Sequence, residues 1–393
     1  MYDVVVIGGG LVGSYVAYRL AGMGYGVVVL EKHKQSGERV CCTGIISQEC
    51  VDSFVIDKSV VLRQANSARL FSPSGKLLRL WREETQASII DRPALDRAMA
   101  ERAQGKGAEY RLCSLATDLE VGARGVTVKA TCQGERADLE ARVVVIATGF
   151  NPKFTDGLGL GKIGDFVIGA QAEAELCGVD EIEVYFGQKI APGFFAWLVP
   201  VSSQKALVGL LVRRNPGLYL GRLMMSLLSQ GKVVSAEIKP IYGGIPLKPL
   251  PKTYGERLVV VGDAAGQVKP TTGGGIYFGL LSAEIAADTL HRGLTNDTLS
   301  ARYLADYERR WRQKLGRELE IDYYTRKFYE RLSDQQIDKM FDIIKSHGID
   351  EALLKAKNLS FDWHSRAILR LMGHQAVARA LEVMKMPFRL WGS

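Results

Sequence analysis

"MYDVVVIGGGLVGSYVAYRLAGMGYGVVVLE", residues Met1 to Glu31, decides the fold of this 393-residue chain. Val4-Val5-Val6-Ile7 is a short continuous apolar run, the pattern of a strand covered on both faces. Gly8-Gly9-Gly10-Leu11-Val12-Gly13 follows as G-x-G-x-x-G and opens a helix that continues through Ala17 and Leu20. A second strand, Val27-Val28-Val29-Leu30, ends on Glu31. The glycines have separate tasks. Gly8 permits the tight turn, Gly10 lets backbone approach a pyrophosphate, and Gly13 lets helix and strand pack closely. The helix N-terminus offers N–H groups and a positive dipole end to phosphates. Glu31, at the end of the second strand, is placed to accept ribose hydroxyls. Strand, turn, helix, strand and terminal acid together predict a dinucleotide site on a Rossmann-type α/β domain.

Two later segments choose the dinucleotide. Arg142-Val143-Val144-Val145-Ile146 runs into Ala147-Thr148-Gly149, and Leu258-Val259-Val260-Val261 runs into Gly262-Asp263-Ala264-Ala265-Gly266. These resemble the A-T-G and G-D motifs of the glutathione-reductase-type flavoproteins. The resemblance implies FAD as cofactor, with Asp263 on its ribityl chain. After Lys269-Pro270-Thr271-Thr272 come Gly273-Gly274-Gly275-Ile276 and a helix expected from about Tyr277 to Leu290. Gly273, Gly274 and Gly275 would offer N–H groups at its positive end. In the resembling fold that end faces flavin N1 and the C2 carbonyl. No second G-x-G-x-x-G follows a strand, so the reductant is expected to be external, a ferredoxin or NAD(P)H. Ser88 to Asp96 resembles the arginine-bearing helix start of the para-hydroxybenzoate-hydroxylase branch, which brings Arg92, or Arg97, to the phosphate or adenosine end of FAD.

The middle of the chain reads differently. From about Gly164 to Ile245 apolar and polar residues alternate between turn signals, as in Glu181-Ile182-Glu183-Val184-Tyr185-Phe186, which predicts a half-buried antiparallel β-sheet. Within it, Pro192-Gly193-Phe194-Phe195-Ala196-Trp197-Leu198-Val199-Pro200 resembles the mark of the geranylgeranyl reductase family, P-x-x-Y-x-W-x-F-P. The prolines and Trp197 match; Phe195 and Val199 replace Tyr and Phe. The resemblance spans nearly the whole chain, including Gly8 to Gly13, Cys41-Cys42-Thr43-Gly44 and Gly262 to Gly275. It implies saturation of isolated C=C bonds in the geranylgeranyl chains of lipids or prenyl diphosphates, by hydride from reduced flavin N5 plus a proton. It also implies an apolar tunnel lined by Trp197 and Phe195, with Cys42 as the flavin-side group, or Cys41 if the register moves by one. The alternative on the same fold is an FAD-dependent monooxygenase or halogenase. Phe195-x-Trp197-x-Val199-Pro200 is near the halogenase W-x-W-x-I-P, but the first Trp is missing. A non-enzymatic prenyl-lipid binder is disfavoured by the complete set of cofactor residues.

Composition sets the remaining bounds. Length predicts two or three compact units. We expect an FAD-binding domain over 1–163 and 246–297 with a 60–92 excursion towards the substrate domain, an antiparallel-sheet substrate domain over 164–245, and a helical region over 298–393. Helices are expected there at Tyr303 to Arg317, Asp334 to Ser346 and Ser365 to Lys385. Six cysteines lack metal-ligand spacing, so no metal site is expected and the thiols read as reduced and cytoplasmic. The net charge is +8, and from Trp363 to Ser393 five basic residues stand against one acid among leucines and methionines. Such an amphipathic end suits an anionic membrane surface and peripheral attachment. No nucleic-acid module accompanies the charge. No apolar run reaches the ~18–20 residues of a membrane span, and the first residues already read as a strand, so no cleavable signal is expected.

Overall fold

The computed structural model describes residues 1–355 and 361–373. The chain contributes three segments to each of two compact units. Its first segment holds β1 (Tyr2–Ile7), α1 (Leu11–Gly22) and β2 (Val27–Leu30). The second holds β3 (Ile45–Ser47), α2 (Gln48–Ser53), β4 (Val61–Ala65), β5 (Ser67–Phe71), β6 (Leu77–Trp81) and β7 (Ala87–Ile90). The third holds α3 (Arg92–Gln104), β8 (Glu109–Arg111), β9 (Ser114–Val121), β10 (Val126–Cys132), β11 (Glu135–Ile146) and α4 (Pro152–Thr155). In the fourth are β12 (Phe166–Glu175), β13 (Ile182–Phe186), β14 (Phe195–Pro200), β15 (Lys205–Val212), α5 (Pro216–Ser229) and β16 (Ile241–Pro246). The fifth has β17 (Tyr254–Gly255), β18 (Leu258–Val260), α6 (Ile276–Thr295) and α7 (Ala301–Trp311). The last carries α8 (Arg317–Tyr329), α9 (Asp334–Ser346), α10 (Ile349–Lys355) and α11 (Ser365–Gly373).

The first, third and fifth segments form one unit around an eight-stranded sheet ordered β17-β18-β11-β1-β2-β8, with β10 and β9 continuing from β11. β1 runs parallel to both neighbours, Val5 opposite Val144 and Val28. β11 serves three partners: its first half pairs antiparallel with β10, and its end pairs parallel with β1 on one side and β18 on the other. Val5, Ile7, Val28 and Leu30 pack on Leu119, Val128 and Leu139 of the β9–β11 meander. That cover is why these strands show no polar alternation. α1 lies against α3 and α6; a Cβ on Gly279 of α6 would come within 2.7 Å of Val12, so glycine sets the closeness of that crossing.

The other unit is built on a seven-stranded sheet, β16-β12-β15-β14-β13-β5-β6. The antiparallel pairs β12–β15, β15–β14 and β14–β13 realise the sheet expected from alternation. The β5–β6 hairpin extends it through a parallel β5–β13 pair, which covers an edge that β13 would otherwise expose. One face carries Ala170, Ala172, Ala196 and Leu198 under Leu220, Leu223, Met224 and Leu227 of α5. That face is less exposed than alternation implied. Glu183 lies on it fully buried, bonded to the Tyr185 hydroxyl and 2.7 Å from Lys232 Nζ.

Among the helices, α9 has the predicted limits and a capping box between Ser333 and Gln336. The helix predicted to stop near Arg317 instead passes through a π-helical turn, Arg312–Gly316, into α8. α11 covers the start of the helix expected from Ser365; its continuation to Lys385 and the basic tail lie outside the described residues. Among the described residues no helix is long and apolar enough to cross a membrane.

Candidate active site

The glycine turn after β1 separates packing from ligand approach. Gly8 has φ +109°, and a Cβ there would lie 2.3 Å from the Ala147 carbonyl oxygen. A Cβ on Gly13 would lie 2.0 Å from the Gly8 carbonyl oxygen. Both glycines are therefore demanded by the chain's own packing. Gly10, the N-cap of α1, has extended backbone, and a Cβ there would meet only Asp96 Oδ2, at 3.9 Å. Nothing among the described residues needs that glycine, so the space beside the start of α1 is open to a ligand. At the end of β2 the buried Glu31 holds the turn: Oε2 accepts from the Gly9 N–H and Oε1 from the His33 N–H, each at 2.9 Å. A carboxylate has about four acceptor positions, so ribose hydroxyls can still be received.

Asp91 caps α3, accepting from the Ala94 N–H at 2.9 Å, and so fixes where Arg92 begins. Arg92 reaches Asp96 Oδ1 at 2.8 Å, with only 11% and 3% of the two side chains exposed. Burial pushes the Asp96 carboxyl up from the ordinary carboxylate range, against the pull of Arg92. Burial pushes Asp263 up as well, and the same guanidinium pulls it back. Arg92 is thus the shared counter-charge of two buried acids. Asp96, which was not singled out from the sequence, belongs with Gly10, Arg92 and Asp263. Its signal was the i, i+4 spacing from Arg92 on a capped helix. Replacing Arg92 by Met should destabilise folding by about 3 kcal/mol or more, because it leaves buried carboxylates uncompensated. Urea unfolding measures this, and Arg92→Met/Asp96→Leu should recover only the part owed to Asp96, because Asp263 stays buried without the guanidinium.

The second glycine loop is shaped around Asp263. A Cβ on Gly275 would fall 2.6 Å from Asp263 Oδ1. Gly273 takes φ +75° and spends its N–H on the Lys269 carbonyl at 2.8 Å, so its contribution is conformational. Gly274 packs on the buried Lys269; a Cβ would lie 2.9 Å from Lys269 Cε and 3.5 Å from Nζ. Gly275 caps α6 without a side chain, and the Asp263 carboxylate stands beside this positive end of the helix.

In the other unit, strand register gathers the aromatic residues. Phe186 stands opposite Phe195, and Val184 opposite Trp197. Trp197 in turn faces Gly209, which faces Gln171. These side chains share the sheet face opposite α5. A Cβ on Gly209 would lie 2.5 Å from the Trp197 ring, so the indole lies flat across a strand that has no side chain there. Phe195 is 5.9 Å from Trp197 and 6.3 Å from Phe186 between centroids. The Trp197 Nε1–H is buried without a hydrogen-bond partner among the described residues; such donors ordinarily find one. Phe194 points away from this group. It is fully buried with the Arg326 guanidinium 3.8 Å and the Arg213 guanidinium 5.6 Å from its ring centre, so its role is packing. Arg326 donates to the Gly193 carbonyl and the Tyr329 hydroxyl donates to the Phe194 carbonyl, so α8 clamps the turn that precedes β14.

Cys42 joins the same face through Gln171. The amide Nε2 donates to the Cys42 carbonyl at 3.3 Å, and Oε1 accepts from the Thr43 hydroxyl at 2.7 Å. Cys42 Sγ accepts from the Gly44 N–H at 3.4 Å. Cys41 turns aside over β12 and β16, its thiol donating to the Ile241 carbonyl at 3.5 Å. Gln171 and Gly209 are the residues that sequence reading missed here. Burial, then the neighbouring Cys42, raises the Cys41 pKa from 9.0 to about 11. The folded value lies above the unfolded one, so its contribution to stability is whole below pH 9.0 and is lost as pH climbs to about 11. At pH 8 Cys41 should react with iodoacetamide about tenfold or more slowly than the exposed Cys177, read by peptide mass spectrometry.

The family profile described as "Lycopene cyclase protein" matches residues 3–343. The digeranylgeranylglycerophospholipid reductase of Methanocaldococcus jannaschii is 32% identical over 365 residues, covering 89% of this chain and 93% of that protein. A geranylgeranyl bacteriochlorophyll reductase-like protein from Thermoplasma acidophilum has TM-score 0.85 at 24% identity, over 98% of each chain. A flavin-dependent brominase has TM-score 0.69 at 15% identity, over 98% of this chain and 99% of that one. The structural likenesses define the fold class, the α/β architecture shared with these two proteins. Family follows from sequence: the chain belongs to the lycopene cyclase protein family, and its place is with the geranylgeranyl reductases.

Proposed function

We propose that this chain is an FAD-dependent reductase that saturates isolated C=C bonds of geranylgeranyl chains in lipids or prenyl diphosphates. The observation that carries this reading is the 32% identity, over 93% of its length, to a digeranylgeranylglycerophospholipid reductase. The residues of the glycine turns fit the cofactor. The Gly8 to Gly13 turn and the start of α1 would take the pyrophosphate, Glu31 the ribose, Asp263 the ribityl chain, and the start of α6 the flavin. Arg92 would hold Asp96 and Asp263 in place beside them. When bound and reduced by an external donor, a ferredoxin or NAD(P)H, the flavin supplies hydride.

The rest is the work of side chains. A polyprenyl chain offers no polar handle along its length, so it must be held by shape and dispersion. Phe195, Trp197, Phe186 and Val184 present a continuous apolar surface for it. Saturating an unactivated alkene needs a proton on its less substituted carbon, which leaves developing positive charge on the tertiary one. Aromatic faces can steady that charge by about 1–2 kcal/mol each where water is excluded. Cys42, held by Gln171 and the Gly44 N–H, reaches this surface through Gln171 and would orient the chain.

The test is turnover without oxygen. Enzyme reduced with dithionite and given geranylgeranyl phospholipids should yield products heavier by successive pairs of hydrogen atoms in mass spectra. Unchanged lipid, with rapid oxygen uptake in the presence of an aromatic substrate, would instead support the monooxygenase or halogenase reading and overturn this one.

A further inference from the structure

We propose that the outer face of α5, with Tyr242 at its start, is the surface by which this protein docks on an anionic lipid bilayer. The inference rests on the reading that the substrate is a prenyl lipid. On α5 the residues Leu220, Leu223, Met224 and Leu227 face the sheet and are buried. Leu218, Arg222 and Met225, at helical spacing on the opposite side, form a single outward stripe. Leu218 is 52% exposed, Met225 60% and Tyr242 50%. A Cβ on Gly217 would lie 2.9 Å from the Tyr242 hydroxyl, so that ring lies against the start of the helix and continues the stripe.

Scattered exposed apolar residues need no explanation; an aligned set on a helix whose core face is already complete does. The chemistry selects the partner. From Arg213 to Ala236 the chain has no acid; Arg214 and Arg222 are exposed, while Arg213 and Lys232 are paired with Glu330 and Glu183. Leucine and methionine beside a tyrosine and an arginine, with no carboxylate, suit the boundary between acyl chains and phosphate headgroups. The surface also leads to the candidate site. Tyr242 lies in β16, the edge strand, between Ile241, whose carbonyl accepts from Cys41, and Gly243, where a Cβ would lie 3.1 Å from Cys41 Cβ. A lipid that leaves the bilayer at Tyr242 therefore meets the Cys41–Thr43 segment around the sheet edge.

Flotation of the full-length holoprotein with phosphatidylglycerol–phosphatidylcholine vesicles, and with phosphatidylcholine alone, tests the assignment. The wild type should float with the anionic vesicles, and less so at high salt. Leu218→Glu/Met225→Glu should lower the bound fraction at least tenfold, and Arg222→Glu should weaken binding to anionic vesicles only. Leu115→Glu, on the exposed side of β9, should change nothing. Equal flotation of the double variant and wild type would overturn the proposal. So would light scattering that shows the substitutions splitting a dimer, since the face would then join two copies of the chain. Turnover of detergent-dispersed lipid should be the same in the double variant and wild type. If neither reduces lipid, the functional reading fails, while the vesicle result still decides the docking surface.

Discussion

Gly10→Val protein should purify without bound flavin, while its apoprotein unfolds at nearly the same temperature as the unsubstituted apoprotein. The contrast comes from what surrounds the glycines. Gly10 has ordinary extended backbone and free space around its missing Cβ, apart from Asp96 Oδ2 at 3.9 Å. A Cβ there makes only an ordinary contact with the described residues. On the proposed reading a larger side chain would fill the space a pyrophosphate enters and hold that group off the first N–H groups of α1. Losing two charge-assisted hydrogen bonds at about 1.5–3 kcal/mol each weakens binding about a hundredfold or more. Titration of apoprotein with FAD, followed by flavin fluorescence, gives the affinity. Gly13→Ala is the counterpart: its Cβ would fall 2.0 Å from the Gly8 carbonyl oxygen, so the fold itself should fail. If Gly10→Val binds FAD as tightly as the parent, the turn is not the phosphate cradle.

Trp197→Ala should lose about 30- to 1000-fold in kcat/KM on geranylgeranyl lipid, from about 2–4 kcal/mol of lost aromatic contact, while keeping its full flavin content. The indole is the largest element of the surface, and its neighbour Gly209 has no side chain to fill the gap left behind. Trp197→Phe should stay within about tenfold of wild type, because a ring still covers Gly209. The difference between those two variants isolates the apolar surface, and the residual deficit of Trp197→Phe reads the Nε1–H that has no protein partner. Gly209→Val approaches the same point from the other side: its Cβ would lie 2.5 Å from the Trp197 ring and must displace it. Steady-state kinetics unchanged in Trp197→Ala would remove the aromatic surface from the reaction.

Much of the candidate cofactor cradle was legible because its signals lie in short stretches of chain. A strand, a glycine turn and a helix start lie within a few residues of one another, and Gly8 and Gly13 leave no freedom in how they are used. The limits of α9 were legible for the same reason, its cap and first turn being adjacent in sequence. Alternation over 181–186 announced a sheet but misjudged its polar side, since Glu183 is buried against Lys232, some fifty residues on. The end predicted near Arg317 was overrun because the helix passes Gly316 by way of the π-helical turn Arg312–Gly316 and no proline follows closely.

Taken alone, the chain's order of residues determined the Rossmann-type turn, the positions of Glu31 and Asp263, and an aromatic run flanked by prolines. Each is announced within a short stretch of residues, which period and turn chemistry make readable. Only the tertiary structure decided that Arg92 answers to both Asp96 and Asp263, and that Cys42 reaches the aromatic face through Gln171. It also decided that Trp197 rests on Gly209 and that Phe194 does not share the surface. Those pairings join strands and helices remote in sequence. Their partners are selected by sheet register and by the burial of charge, quantities that exist only once the chain has folded.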